Sequence, residues 1–295
     1  MSLRQWLWLA LLACFWGSAF VLMELALPTF SPLMIVLGRM GVAAVMLNLV
    51  ILRQGRRWPQ QRRLWVQCAG LSILNNLLPF GLVVWAQQHI SASLASILIA
   101  AAPIFTVVLA VFIVGERLTL TRGLGVLLGF SGVIVLIGPG VLQGFSLQGF
   151  GELAILGAAL SYALAGFWGR RFKAIPAQLV STMTVTMGAV IMVPLTLIVE
   201  WPLSVEWQWT AGLAVLALGI FPTALAYLIY YRLLAEAGVV KTSLVSFLVP
   251  FSALLLSAVF LHERLSLTAA SGMALILAGL AVLDGRLLGK LRLKR

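Results

Sequence analysis

The sequence predicts an all-α membrane protein with ten transmembrane helices, arranged as two inverted five-helix repeats with both termini in the cytoplasm. Three observations lead to this prediction. Hydrophobic residues make up 62% of the 295-residue chain and charged residues 9%, whereas a soluble domain carries roughly 25% charged residues. The apolar residues fall into long runs separated by charge clusters. A sequence block also recurs at an interval of 147 residues.

The repeated block indicates an internal duplication. Pro103 and Pro250 are each followed thirteen residues later by Glu-Arg-Leu-(Thr/Ser)-Leu-Thr. The same shift superimposes Ser96 on Ser243, Gly125 on Gly272 and Gly132 on Gly279. Because a unit this long is not a solenoid repeat, we expect the two halves to build one structure together. The predicted divisions are a first repeat at 1–140, an outer linker at 141–148, a second repeat at 149–286 and a basic cytoplasmic tail at 287–295.

Ten apolar runs are long enough to cross a bilayer, which takes about 20 residues in a helix. They lie at about 5–26, 32–52, 65–87, 92–114, 122–139, 150–169, 178–199, 209–231, 242–261 and 267–285. None shows the alternation over about ten residues that marks barrel strands. Because backbone groups inside a membrane must be hydrogen-bonded within the protein, the runs predict an α-helical bundle.

The basic residues predict the orientation of the spans. With the N-terminus in the cytoplasm, 18 of the 20 Lys and Arg residues fall on the cytoplasmic side, as the positive-inside rule requires. Arg39 lies within a span and Arg264 lies outside. Since five spans per half is an odd number, the second half enters from the opposite face and the repeats are inverted. Such inverted repeats recur in secondary transporters.

Several short motifs follow one another along the chain. They are Trp-Gly-Ser-Ala-Phe at 16–20, Arg39 in the second span, Ser-Ala-Ser-Leu-Ala at 91–95 and the two Glu-Arg-Leu blocks. Together with ten spans, they resemble the drug/metabolite transporter superfamily, in its EamA-type ten-helix branch, over nearly the whole chain. The resemblance implies a secondary transporter in the bacterial inner (cytoplasmic) membrane that exports small metabolites by alternating access through a central cavity. We expect amino acids as substrates, aromatic or other apolar ones included.

Arg39 is the most costly residue of the predicted spans, because a charge at membrane depth needs a partner or a water-filled cavity. One interpretation is structural, with the side chain snorkelling or pairing with Glu24 on the preceding span. The other is functional, with the guanidinium holding a substrate carboxylate. Both stay open. Glu24 is also the predicted proton-coupling residue, and coupled and facilitative transport are both compatible with the sequence.

Two asparagines mark a second predicted contact region. Asn75 and Asn76 lie mid-span, about one turn before Pro79, where the freed backbone groups of a bent helix need protein or water. Aligning Pro79 with Pro222 places Leu218 and Gly219 opposite the asparagines. Two interpretations of these amides stay open: they contact substrate or water, or they form hydrogen bonds between helices. The predicted hinge or kink residues are Pro79, Pro103, Pro222 and Pro250.

Aromatic residues complete the predicted site. Trp16 and its repeat counterpart Tyr162 lie mid-span, where rings either stack on an apolar solute or pack the bundle. The predicted substrate-binding set is Trp16, Ser18, Arg39, Asn75, Asn76, Trp85, Tyr162, Trp168, Tyr227 and Tyr230.

Other functions fit the sequence less well. A Gly-x-x-x-x-Gly-Lys-Ser/Thr loop is absent from it, so ATP is not the direct energy source within this chain. An enzyme would need a nucleophile with a base, paired acids or a metal cluster at membrane depth, and Ser18 has no mid-membrane histidine. We expect no enzyme activity, cofactor, metal or nucleic-acid partner. The expected partners are a small-molecule solute and the lipid bilayer, with monomer and homodimer both open. The alternative function is a translocator of an amphiphile or lipid-linked carrier, whose phosphate Arg39 would meet.

Overall fold

A computed structural model of the chain describes residues 2–137, 146–201 and 205–284. Within these ranges the regular elements are all helical. The α-helices are α1 (Leu3–Ala26), α2 (Pro32–Arg53), α3 (Arg62–Ser72), α4 (Leu78–Ala86), α5 (Ala92–Ile99), α6 (Ala102–Val114), α7 (Leu120–Ile137), α8 (Leu147–Gly169), α9 (Ala177–Glu200), α10 (Trp209–Gly219), α11 (Ala226–Ala237), α12 (Val239–Thr242), α13 (Val245–Phe260) and α14 (Leu267–Asp284). Most of the predicted linker and all of the predicted tail lie outside the described residues.

Eight helical segments in the described ranges are long and apolar enough to cross a membrane. They coincide with the first eight predicted spans. Two shorter apolar helices, Val245–Phe260 and Leu267–Leu283, lie where the ninth and tenth spans are predicted. The prediction of an all-helical membrane protein is confirmed at this level, and the number of ten spans stays a prediction.

The third and eighth segments each contain a short π-helix. The first, π1 (Ile73–Leu77), joins α3 to α4, and the second, π2 (Ile220–Leu225), joins α10 to α11. Their starting residues are separated by the same interval as the two Glu-Arg-Leu blocks. The π-helices therefore align Asn76 with Thr223, so the alignment of Asn76 with Gly219 through the prolines is wrong. A proline is a poor guide here because it is tolerated both after a distorted turn, as at Pro79, and within one, as at Pro222.

Side chains and glycine fix several helix ends. Ser31 accepts a hydrogen bond from the backbone amide of Met34 at the start of α2, where Pro32 is the first helical residue. Ser91 caps α5 in the same way. Gly115 ends α6 in the left-handed conformation, with φ of 72°, which glycine adopts without steric cost. These ends set where each membrane segment starts and stops.

The helices α7 and α14 pack backbone against backbone through glycines of the repeat. A Cβ atom on Gly132 would lie 2.7 Å from the carbonyl oxygen of Gly272, and one on Gly272 would lie 3.0 Å from that of Gly132. Gly125 and Gly279 make the equivalent pair, at 3.0 and 2.7 Å. Small residues permit such close helix approach in membranes. The contacts are reciprocal, as in a two-fold arrangement, and the two helices run antiparallel.

Further contacts join the two halves of the chain around its centre. α1 packs on α13 and α10, α4 packs on α8, and α2 packs on α9 and α10. Gly219 of α10 lets that helix approach α2 closely, since a Cβ atom there would lie 3.1 Å from the carbonyl oxygen of Arg39. The middle of α2 is therefore enclosed by residues of both halves.

Candidate functional site

Arg39 lies at the centre of this enclosure and is only 6% exposed. Its Nε donates a hydrogen bond to Oγ1 of Thr223 at 2.9 Å, and its Cζ lies 3.6 Å from the centroid of the Phe80 ring. Among the described residues it forms no ion pair with a carboxylate. A buried cation without an acidic partner is costly, which makes Arg39 the leading candidate for a functional role.

Thr223 is held in place by the second π-helix. Its hydroxyl donates to the carbonyl oxygen of Leu218 at 2.8 Å, and the residue is 1% exposed. Because the hydroxyl hydrogen is committed to Leu218, the oxygen lone pairs are available to accept from Arg39. The first half of the chain thus supplies the cation and the second half supplies its acceptor.

A cluster of amide and phenol groups is formed by Asn75 and Asn76 of π1 and Tyr227 of α11, one turn after Thr223. The hydroxyl of Tyr227 donates to Oδ1 of Asn76 at 3.0 Å, and Nδ2 of Asn75 lies 3.4 Å from the Tyr227 hydroxyl. Asn76 is 0% exposed, and its Nδ2 has no hydrogen-bond partner within the described part of the chain. Tyr162 and Tyr227 are close enough to Arg39 for electrostatic interaction. The structure therefore brings together five predicted residues: Arg39, Asn75, Asn76, Tyr162 and Tyr227.

A series of aromatic rings connects this cluster to the first helix. The Trp16 and Tyr230 centroids are 5.7 Å apart, those of Tyr230 and Tyr231 are 5.3 Å apart, and those of Tyr231 and Tyr227 are 6.3 Å apart. Trp16 and Tyr230 are therefore connected to Tyr227 of the polar cluster through neighbouring rings.

The other predicted substrate-binding residues lie apart from the cluster. Trp85 is 37% exposed and packs against His89. Trp168 donates to the carbonyl of Gln67 at 3.1 Å. Ser18 donates to the carbonyl of Phe15 and lines an apolar groove of about 370 Å³ between α1, α10 and α13. Their contact with substrate stays a prediction.

Glu24 does not pair with Arg39, so the structural interpretation through that ion pair is wrong. Nε2 of Gln87 donates to Oε2 of Glu24 at 3.1 Å and to the carbonyl of Phe20 at 2.8 Å. Gln87, at the end of α4, is 3% exposed. Arg39 instead faces the second π-helix, which the sequence of the first half could not indicate.

The predicted hinge prolines occupy different local structures. Pro79 is the second residue of α4, directly after π1, and Pro222 lies inside π2. Pro103 follows a break between α5 and α6 at residues 100–101, whereas Pro250 lies within the continuous helix α13. Four prolines in irregular or kink-prone places are compatible with bending, and their role as hinges stays a prediction.

Sequence reasoning missed Thr223, Phe80 and Gln87. Thr223 was detectable, because shifting Asn76 by the interval of the Glu-Arg-Leu blocks leads to it. Phe80 and Gln87 carried no signal of their own, since a phenylalanine and a glutamine in an apolar run are compatible with many positions in a bundle.

In the described ranges, eight helical segments of spanning length and a buried polar centre indicate a multi-pass membrane protein and fit the class of transporters. The family comparison gives the particular group. The EamA-like transporter family matches residues 4–138 and again residues 149–283. The chain belongs to this family, which confirms the resemblance seen in the short motifs, and it is a membrane transporter and not an enzyme.

Individual relatives carry transporter names. The chain is 27% identical over 266 residues to "Uncharacterized transporter YoaV" of Bacillus subtilis, covering 90% of this chain and 91% of the relative. It is 30% identical over 302 residues to "Probable terminal-alkyne amino-acid exporter" of Streptantibioticus cattleyicolor, covering 99% and 97%. A solved crystal structure aligns over 100% of both chains with a TM-score of 0.69 at 22% identity, which shows the same fold.

Proposed function

We propose that this protein exports amino acids across the bacterial cytoplasmic membrane by alternating access between two inverted five-helix halves. The family match in two segments and the antiparallel, reciprocal contact between α7 and α14 support the inverted arrangement. The name of the Streptantibioticus relative supports an amino acid as substrate. Both termini are cytoplasmic in this proposal, as the distribution of basic residues predicts.

The main observation behind the proposal is that Arg39 is buried without a carboxylate partner among the described residues. It is buried between residues of both halves, and the described residues provide it with a hydroxyl and a ring but with no carboxylate. A substrate carboxylate would supply the missing negative charge and offset the cost of the buried cation. Because Thr223 lies in one half and Arg39 in the other, movement of the halves would change the site.

The aromatic series is suited to the rest of an apolar amino acid. Trp16, Tyr230, Tyr231 and Tyr227 form neighbouring rings that lead away from the polar cluster. Rings of this kind bind apolar and aromatic groups by offset or edge-to-face packing. We therefore place the substrate side chain along these rings and its polar end at Arg39.

The proposal is tested with purified full-length protein in liposomes. Liposomes that contain the protein and are loaded with labelled amino acids should release at least one of them faster than protein-free liposomes loaded in the same way. Arg39→Gln should lower this flux about tenfold or more, because it removes the carboxylate partner. Arg53→Gln, at the exposed end of the same helix, is the matched control and should leave the flux unchanged.

Two other results would change the assignment. Flux of an amphiphile or lipid-linked carrier, with none for any amino acid, would replace the proposal by the alternative function. A pH gradient that drives uphill flux in the original protein but not in Glu24→Gln would assign proton coupling to Glu24. A flux that does not depend on the pH gradient would indicate facilitated transport without proton coupling.

A further inference from the structure

We propose that the site selects its substrates by a carboxylate bound to the two Nη atoms of Arg39, that Thr223 is the residue that positions the guanidinium, and that an α-amino group is not required. The inference rests on the proposed function, because it describes the same site. It extends the substrate class from amino acids to apolar carboxylates in general.

The contacts of Arg39 leave one edge of its guanidinium for a ligand. The guanidinium carries five N–H donors in a fixed plane. Nε is bonded to Thr223, and one face of the plane lies over the Phe80 ring. Among the described residues, no hydrogen bond to the Nη atoms is found. An open pair of Nη donors matches the two oxygens of a carboxylate.

Thr223 fixes the direction in which that edge points. Its hydroxyl donates to the Leu218 carbonyl and accepts from Nε of Arg39. These two bonds limit the orientations that the guanidinium plane can adopt. Loss of the hydroxyl would leave Nε unpaired and the plane less constrained. Thr223 acts through Arg39 and is therefore a positioning residue.

Among the residues that the structure describes, the polar groups near Arg39 favour an acceptor-rich ligand, and no carboxylate there pairs with a cation. The buried Nδ2 of Asn76, which has no hydrogen-bond partner within the described ranges, is a second donor. Tyr162, Tyr227 and Asn75 are neutral. Glu24 and the buried Glu152 are each bonded to a glutamine, Gln87 and Gln148 respectively. An ammonium group would gain only neutral contacts here, so we expect the carboxylate to supply most of the selectivity.

Matched ligand series test this inference in binding measurements. One series is L-phenylalanine, its des-amino analogue hydrocinnamate, and L-phenylalaninamide. The other is L-leucine, isocaproate and L-leucinamide. Equilibrium dialysis with the purified full-length protein should give dissociation constants for acid and des-amino analogue within about threefold in at least one series. The amide should bind about tenfold or more weakly, because it lacks the charge.

Variants of Thr223 test the positioning role. Thr223→Val should reduce the preference for carboxylate over amide about tenfold, and Thr223→Ser, which keeps the hydroxyl, should restore it. The ratio of the two dissociation constants is measured on one protein sample, so a general loss of stability does not move it. If Thr223→Val fails to fold, Arg39→Lys, which keeps the charge but loses the planar pair of donors, should lower the same ratio.

The outcomes separate this inference from the proposed function. Three outcomes overturn the inference. The amide binds as tightly as the acid, the des-amino analogue does not bind although the amino acid does, or no carboxylate of either series binds. An unchanged ratio in Thr223→Val and Arg39→Lys overturns it as well. Carboxylate binding without flux of any amino acid in liposomes leaves the inference standing and removes the proposed function.

Discussion

The helix pair α7–α14 and the two Glu-Arg-Leu turns are both built from repeated sequence, but only the helix pair makes the same contacts twice. The glycines of α7 and α14 approach each other reciprocally. In the turns, by contrast, the Glu263 carboxylate accepts hydrogen bonds from the backbone amides of Ala92 and Ser93 at 3.0 and 2.9 Å. Its counterpart Glu116 accepts from Arg122 at 2.6 Å. One glutamate joins the two halves and the other binds within its own turn.

The helices that precede these turns also differ between the two halves, in the position of a helix break. The first half has its break at residues 100–101, between α5 and α6, whereas the second half has it at residues 243–244, between α12 and α13. These positions are not equivalent under the repeat. The comparison suggests a hypothesis under the proposed function: the symmetric α7–α14 contact stays fixed during transport, whereas the asymmetric turn contacts change with the relative position of the halves. Rocking of one repeat against the other, as the proposed function requires, would keep some contacts between the halves and exchange others.

The largest expected effect is the loss of the α7–α14 contact. Gly132→Ala and Gly272→Ala should each lower the free energy of unfolding by about 1–3 kcal/mol, because the added methyl group would meet backbone of the partner helix. Gly41→Ala is the control, since a Cβ atom there has nothing within 4 Å. Denaturant titration in mixed micelles measures the effect. A clear loss for one glycine and none for the other would break the symmetry of this contact.

In the sequence analysis the repeated glycines indicate only a duplication, yet they carry more information about the α7–α14 contact than the glutamates carry about the turns. Glycines spaced along an apolar helix commonly allow close approach of another backbone. Because Gly125 and Gly132 of α7 recur as Gly272 and Gly279 of α14, they indicate that the two helices approach closely. Glu116 and Glu263 occur in identical local sequences, and their partners are decided by which helix start lies nearby. The same limit applies to the site. Arg39 and Asn76 are conspicuous as polar residues in apolar runs, but their contacts cross from one half to the other.

A smaller effect is expected from the glutamate that joins the halves. Glu263→Gln should cost about 1–2 kcal/mol of unfolding free energy, because the amide keeps one acceptor oxygen and loses the charge that strengthens both bonds at the start of α5. Glu206→Gln, at an exposed residue of the second half, should be neutral in the same titration. Equal effects of the two changes would mean that the contact of Glu263 with α5 contributes nothing.

The distance across this contact gives an independent measurement. Spin labels at the exposed residues Gln88 and Arg264, in a variant without Cys14 and Cys68, should show one main distance in the original protein. Glu263→Gln should add a longer one, because the bond between the halves is weakened. A distribution unchanged by the substitution would contradict a state-dependent role for the turn.

The smallest effect on stability is expected at Glu116, where the ion pair with Arg122 is partly exposed, with side chains 39% and 43% accessible. Exposed pairs contribute about 0–1 kcal/mol, so Glu116→Gln and Arg122→Gln should both leave the unfolding free energy nearly unchanged. Their effects on transport should nevertheless differ. Under the repeat, Ala92 and Ser93 correspond to residues 239–240 at the start of α12, and a second state that mirrors the first would bring the Glu116 carboxylate to those amides.

Arg122→Gln breaks the same ion pair but keeps the carboxylate, so it separates the two interpretations of Glu116. If the glutamate is needed in the mirrored state, Glu116→Gln should slow flux in liposomes several-fold, whereas Arg122→Gln should leave it close to the original rate, since a freed carboxylate can still reach the backbone amides. Equal flux in the two variants would reduce Glu116 to a surface ion pair. The difference between the two Glu-Arg-Leu turns would then belong to the fold itself and not to one of two alternating states.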